Sequence, residues 1–187
     1  EKYFSLNKKN KIDEIYKKAS QKDILQIKKF KVLKNLKFVE FPKLGFFELE
    51  KIIKKISKLE GGLLLIDYGY LIPSNKNTLQ SLLNHKKNNP LHNLGKADIT
   101  SLVNFNLLKE YFIKNKLKVK KIVTQKFFLE RLGIIDRANN LSQKMSFRDQ
   151  SNLYLRLRRL LDKKLMGNLF KVIFTYKTEK DNFLGFE

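Results

Sequence analysis

The segment Gly61-Gly62-Leu63-Leu64-Leu65-Ile66-Asp67-Tyr68-Gly69-Tyr70 constrains the fold most. Four consecutive apolar residues between a glycine pair and a carboxylate are too few for a helix. They match a strand covered on both faces, of the kind found in parallel sheets packed between helices. In open α/β sheets, ligands bind just beyond the carboxyl ends of such strands. The sequence therefore predicts that Asp67, Tyr68 and Gly69 lie past the strand end, where such a fold does its chemistry. The plainer alternative is an Asp that caps the next turn and a Gly that permits a positive φ.

Elements of both periods surround this strand. Phe46, Leu49, Ile52, Ile53, Ile56 and Leu59 recur at helical spacing, with lysines on the other side. This predicts a helix over 46–59, stopped by Gly61-Gly62 and feeding the strand as the second half of a βαβ crossover. Upstream, residues 1–19 read as a hairpin turning at Asn7-Lys8-Lys9-Asn10. Ser20 and Asp23 form a capping box for a short helix, and 36–41 is apolar and β-prone. Downstream, a long polar region to Lys96 holds both histidines and a short helix over 79–85. A helix over 105–115 follows, then a strand through Val119, Ile122 and Val123. Helices through Phe127 and Phe128, from Ile135, and from the capping box Ser146-Phe147-Arg148-Asp149 come next. A last strand spans 169–176, and the polar tail after Thr178 is expected to fray. The order is that of an α/β protein, but three strands make a poor sheet, because a parallel sheet needs neighbours to cover its edges.

Composition narrows the function. With 187 residues, 42% of them hydrophobic, the chain suffices for one domain with a real core. It has no cysteine, which excludes disulfides, thiolate metal sites and cysteine nucleophiles. The longest apolar runs are too short to span a bilayer, so a soluble intracellular protein is expected. Lys and Arg total 40 against 18 Asp and Glu, a formal charge of +22, which attracts polyanions. The lysines are scattered without a dense basic stripe, so nucleic acid binding is the lesser expectation.

No GxGxxG, GxxxxGK[ST] or GxSxG motif occurs. His85 and His92 stand seven apart across a proline, with nothing to fix a metal geometry. The polar set Asp67, Gln80, His85, Asp98, Thr100 and Gln125 could converge above the sheet and orient a substrate, but by itself it names no reaction.

An ordered series is more specific. After Gly61–Gly69 come Asn77-Thr78-Leu79-Gln80, His85, Gly95-Lys96-Ala97-Asp98-Ile99-Thr100 and Val103-Asn104-Phe105. Then follow Thr124-Gln125-Lys126-Phe127-Phe128-Leu129, Leu132-Gly133-Ile134, Arg137-Ala138 and Met166-Gly167-Asn168-Leu169-Phe170-Lys171-Val172. From Gly61 to Ile173 this resembles the carboxyl-terminal half of the MidA-type class I S-adenosylmethionine-dependent methyltransferases. Mitochondrial members of that family are protein arginine methyltransferases that assist assembly of respiratory complex I. The resemblance implies an α/β fragment: the carboxyl-terminal part of a Rossmann-like class I methyltransferase fold, an incomplete sheet with flanking helices. It implies one domain over 1–187, with 1–45 a variable hairpin or insertion and 46–178 the later strands and helices.

It further implies S-adenosyl-L-methionine as cofactor in the complete protein. The family's glycine-rich cofactor loop is not in this sequence, so no cofactor-binding residue is expected here, and this fragment alone should be inactive. Asp67 and Asp98 would orient a guanidinium substrate, with Tyr68, Gly69, Gln80, His85, Thr100 and Gln125 shaping the pocket. The partner would be a protein substrate such as a complex I subunit, in a bacterial cytoplasm or a mitochondrial matrix. Three positions depart from the family, which usually has Asp at Asn77 and often has His at Leu102 and Asp at Asn104. A basic nucleic-acid-binding module and a non-catalytic assembly domain stand as the alternatives.

Overall fold

The computed structural model describes residues 1–9 and 11–187. In chain order the elements are β1 (Lys2–Leu6), β2 (Ile12–Tyr16), α1 (Gln21–Lys28) and α2 (Lys43–Leu59). Then come β3 (Gly62–Tyr70), β4 (Gln80–Leu83), β5 (Lys86–Asn88), β6 (Asp98–Thr100), β7 (Val103–Asn104) and α3 (Phe105–Lys114). The chain continues through β8 (Lys118–Val119), β9 (Val123–Thr124), α4 (Gln125–Arg131), α5 (Ile134–Ser142), α6 (Phe147–Leu161), α7 (Met166–Leu169) and β10 (Phe170–Tyr176). It divides into two compact units: Glu1–Phe41 with Ser74–Leu102, and Pro42–Pro73 with Val103–Glu187. Among the described residues no helix is long and apolar enough to cross a membrane.

In the first unit, β1 and β2 form the expected antiparallel hairpin. Asn7 Oδ1 organises its turn by accepting from the amides of Lys9 and Lys11; Asn10 lies outside the described residues. Ser20 caps α1 by accepting from the Asp23 amide. Residues 36–41 form no strand. Their backbone is tied instead to the segment after Ser74: Asn75 Oδ1 accepts from the Lys37 and Phe38 amides, and Glu40 accepts from the Thr78 amide and hydroxyl. The helix expected over 79–85 is replaced by the hairpin β4–β5, with β6 on the other side of β4. Asn84 and His85 both have positive φ, 49° and 62°. Two such residues between strands make the tight turn whose twist matches a hairpin, and this local chemistry outweighs a weak helical pattern.

In the second unit, the sheet runs β7-β3-β10-β8, with β9 also on β10. The expectation of a parallel sheet is corrected. β3 is antiparallel to β10 along seven residue pairs, and only Gly69–Tyr70 pairs in parallel, with β7. β2, the strand before α2, pairs with β1 alone, so no βαβ crossover forms within these residues. Nor is β3 covered on both faces: Leu64 and Ile66 remain 42% and 43% exposed. α2 starts at Lys43 and is stopped by Glu60, which adopts the left-handed conformation at φ 54° and donates its amide to Ile56 O.

The core of this unit is built by α2, α3 and β10. Phe105, Phe112, Val172 and Ile173 have no exposed surface. The Phe46 ring stacks on Tyr111 at 4.0 Å, and the Tyr111 hydroxyl donates to Phe46 O. Gly69 explains how β7 can come so close. A Cβ there would stand 2.1 Å from Val103 O and 2.8 Å from the Phe105 ring.

The tail is not frayed. Phe183 packs against Phe174 and Tyr176 with centroids 4.6 and 4.8 Å apart, and Phe186 packs on Phe128 at 5.2 Å. Packing two half-buried aromatic rings outweighs the polarity of the residues between them. The Tyr176 hydroxyl donates to Asp181, whose carboxylate also lies 2.8 Å from the Lys120 ammonium. The hydrogen bond from Lys120, then that from Tyr176, holds Asp181 below the usual carboxylate range.

Two outcomes follow. Gly69→Ala forces Val103 and Phe105 outward and should cost about 1–3 kcal/mol in urea unfolding. Tyr176, 3% exposed, has its pKa pushed up to about 12, by burial first and then by the bond to Asp181. Above its ordinary value of 10.0 the unfolded chain gives up this proton while the folded chain keeps it, so the stabilisation is lost as pH rises to about 12. Tyr176→Phe should flatten the alkaline limb of a pH–stability curve over that window.

Candidate functional site

The second unit carries Asp67, Tyr68, Gly69 and Gln125. Asp67, Tyr68 and Gly69 are not past the strand end, because pairing with β7 carries β3 on to Tyr70. Asp67 is exposed, and its Oδ1 accepts from the Tyr68 amide at 2.8 Å. Directly opposite, on β10, stands Lys171. Burial lowers its ammonium pKa, and it donates to Asn168 O. Sequence reasoning missed Lys171 as a neighbour of Asp67, because only the β3–β10 register brings together residues so far apart in the chain. Tyr68 lays its ring edge-on to Phe170 at 5.5 Å. Gly69 is buried and serves the approach of β7. Gln125 is 6% exposed and its Nε2 donates to Leu160 O at 3.0 Å, which ties α4 to the end of α6.

The first unit carries Gln80, His85, Asp98 and Thr100. Gln80 stands opposite Thr100, and Leu82 opposite Asp98, on the antiparallel pair β4–β6. The Thr100 hydroxyl oxygen is buried and has no hydrogen-bond partner among the described residues. Asp98 is exposed, and so is His85 at the tip of the β4–β5 turn.

The three departures from the family pattern read differently once their partners are known. Asn104 is the N-cap of α3, accepting from the Leu107 amide at 3.0 Å. Asn77 accepts from the Leu79 amide in a local turn. Asp performs either task as well as Asn does, because the oxygen is what acts. Leu102 uses its backbone, donating its amide to the Thr78 hydroxyl, a bond indifferent to the side chain. Among the described residues no cluster of His, Asp and Glu is suited to hold a metal.

Comparison with known proteins sets these elements in a family. The sequence profile of a family described as "Putative S-adenosyl-L-methionine-dependent methyltransferase" matches residues 1–123, and the chain belongs to that family. A mitochondrial protein arginine methyltransferase NDUFAF7 homolog of Caenorhabditis elegans is 32% identical over 102 residues, 54% of this chain and 24% of that protein. Its Xenopus tropicalis counterpart, NDUFAF7, is 31% identical over 98 residues, 52% of this chain and 22% of that protein. Two crystal structures of one superfamily from Burkholderia thailandensis share the fold at 18% identity. One is a native structure, with a TM-score of 0.78 over 98% of this chain and 50% of that one. The other, bound to S-adenosyl-homocysteine, has a TM-score of 0.77 over 98% of this chain and 48% of that one. The match thus spans about a quarter of the curated relatives and half of the solved structures.

These findings correct two expectations. The family likeness is not confined to Gly61–Ile173, nor to a carboxyl-terminal half, because the profile matches from residue 1. The Rossmann-like α/β methyltransferase fold likewise covers nearly the whole chain rather than a carboxyl-terminal part of it.

The clefts described can be set against what the family's cofactor needs. Two open clefts are described, one lined by Lys22, Leu25, Gln26, Lys28 and Lys29, the other by Arg137, Asn140, Leu141, Lys144 and Met145. Both are edged by cations and neither offers a carboxylate to a ribose diol, the usual grip on a nucleoside. Neither contains a nominated residue, so no part of the cofactor grip is assigned to these side chains.

The Asn104 cap is testable by unfolding: Asn104→Asp should be nearly neutral, whereas Asn104→Ala should cost about 1–2 kcal/mol.

Proposed function

We propose that the protein containing these residues transfers a methyl group to an arginine guanidinium of a protein substrate. One observation carries the reading: within a family described as S-adenosyl-L-methionine-dependent, two relatives aligned over half of this chain are named protein arginine methyltransferases. S-adenosyl-L-methionine supplies the methyl group when bound. A respiratory complex I subunit is the substrate suggested by the resemblance.

Asp67 is the residue of this chain best suited to the guanidinium. It is an exposed carboxylate fixed by the Tyr68 amide through Oδ1, and Oδ2 accepts no hydrogen bond from the described residues. A guanidinium is a planar fork of donors that a carboxylate orients and partly neutralises. Orientation of the attacking nitrogen is the larger part of what such an enzyme contributes. Tyr68 supports the carboxylate through its amide, while its ring, on the opposite face of the strand, packs against Phe170. Asp98, Gln80, His85 and Thr100 remain proposals for substrate contact from the other unit. Gly69 and Gln125 are given structural tasks by their contacts.

The test is methylation of a peptide with a single arginine by the natural polypeptide, with labelled S-adenosyl-L-methionine. Asp67→Ala should lower kcat/KM on the order of 10- to 100-fold, the loss of one charge-assisted hydrogen bond. Unchanged methylation and peptide affinity in Asp67→Ala would remove Asp67 from the mechanism. Label appearing on a lysine peptide instead of the arginine peptide would overturn the substrate class.

A further inference from the structure

Lysine is this chain's ordinary cation, and arginine is confined to one region. Of the 40 Lys and Arg residues, the only arginines are Arg131, Arg137, Arg148, Arg156, Arg158 and Arg159. Within 131–159 the only lysine is Lys144, whereas every basic residue elsewhere is a lysine. The region runs from the end of α4 through α5 into α6.

The ordinary demands on a helix do not ask for this exchange. Arg and Lys have similar helix propensity, and either cation suits a helix C-terminus. A face that only needs water is served by lysine in the rest of the chain. What sets arginine apart is its guanidinium, a flat fork of donors that grips a carboxylate or a phosphate through two parallel hydrogen bonds. Two of the six have a use within the fold. Arg131 lies over the Phe127 ring at 5.2 Å, and Arg158 Nε stands 3.6 Å from Asp162. Arg137, Arg148, Arg156 and Arg159 are exposed and form no ion pair or ring contact among the described residues.

Three of these four share the outer face of α6. Leu153, Leu157 and Leu160, spaced i, i+4 and i+7, are half-buried and form its inner face. Arg148, Leu155, Arg156 and Arg159, spaced i, i+7, i+8 and i+11, are exposed on the opposite side. At the helical rise per residue, the row from Arg148 to Arg159 is about 16 Å long. The two aspartates at the ends of α6 are already engaged. Asp149 accepts from the Ser146 hydroxyl, and Asp162, the C-cap, lies beside Arg158. Leu155 stands within the row and is 63% exposed, and Phe147, next to Arg148, is 86% exposed. Apolar side chains among guanidinium groups are the composition of a protein interface. A phosphate backbone, the part of a nucleic acid that cations bind, gives a leucine nothing to pack on.

We infer that the outer face of α6 is a docking surface for an acidic segment of a partner protein. Arg148, Arg156 and Arg159 take its carboxylates, and Leu155 takes an apolar side chain placed among them. About five residues of extended peptide match the length of the row. The inference rests on where the arginines stand and does not depend on methyl transfer.

Fluorescence anisotropy on the whole natural polypeptide that contains these residues tests it, without cofactor, so a failure of the arginine-methylation reading leaves the result untouched. The probe is a labelled peptide of glutamates with interspersed leucines, about fifteen residues long so that it spans the row. A labelled oligouridylate of similar length is run beside it. Arg148→Gln, Arg156→Gln and Arg159→Gln together should weaken peptide binding on the order of 10-fold. The same three changed to Lys, which keeps the charge, should still weaken it about threefold or more. Leu155→Ala should weaken the peptide and leave the oligouridylate unchanged. Lys8→Gln, Lys9→Gln and Lys11→Gln together make the same charge change on the exposed hairpin turn and should leave binding within about twofold. Equal losses in the two Gln variants overturn the inference, because net charge alone then explains binding. Full binding in the Lys variant overturns it, because guanidinium is then not needed. Loss of the oligouridylate with the arginines, while the peptide is unaffected, marks a nucleic acid site instead. No peptide binding by the parent also overturns it; a lowered Tm in the Arg→Gln variant then shows that the polypeptide's own chain covers the face.

Discussion

The second unit depends on one close approach. Val103 O and the Phe105 ring come against Gly69 at distances that leave no room for a Cβ. That contact joins β7 to β3 and prolongs β3 past Asp67. It also sets the point at which α3 begins, with Asn104 as its cap and Phe105 fully buried one residue later. From there α3 brings Phe112 into the core and stacks Tyr111 on Phe46, which fixes α2 against it. A single methyl group at residue 69 would disturb the strand that carries the candidate carboxylate and the helix that supports it together.

The second organising pair is β3 with β10. Its register decides that Lys171, not another residue, faces Asp67. The aromatic tail then locks β10 from outside through Phe183 and Phe186. One side of the sheet is finished by short lysine-bearing strands, and the other presents an apolar strand.

Features that depend on a few adjacent residues could be read from the sequence. Ser20 and Ser146 cap their helices, each accepting from the amide of the Asp three residues on. The apolar spacing of 46–59 made a helix, and the expected last strand formed from Phe170, one residue later than its apolar run. Features that depend on a distant partner were misread. Leu64 and Ile66 looked like a doubly covered parallel strand because hydrophobicity records that a side chain should be buried, not which chain buries it or in which direction. Residues 79–85 carried both helical apolar spacing and the Asn84-His85 turn, and the turn won once β6 paired beside β4. The tail looked polar because Phe183 and Phe186 count little in an average, yet two rings suffice to hold it. Among the nominated site residues, Gln125 and Gly69 were recognised as special, but their contacts are structural.

By itself, then, the sequence determined the α/β class, the capped starts of α1 and α6, and the family, but it set Asp67 past a strand that in fact runs on to Tyr70. It did so because capping, periodicity and an ordered series of motifs are local and survive without coordinates. Only the tertiary structure decided that the sheet is largely antiparallel, that Lys171 faces Asp67, and that the tail is anchored. Each of these is a pairing between residues far apart in the chain. A strand carries the same alternating chemistry whichever neighbour it meets, so the choice of neighbour is made only when the sheet assembles.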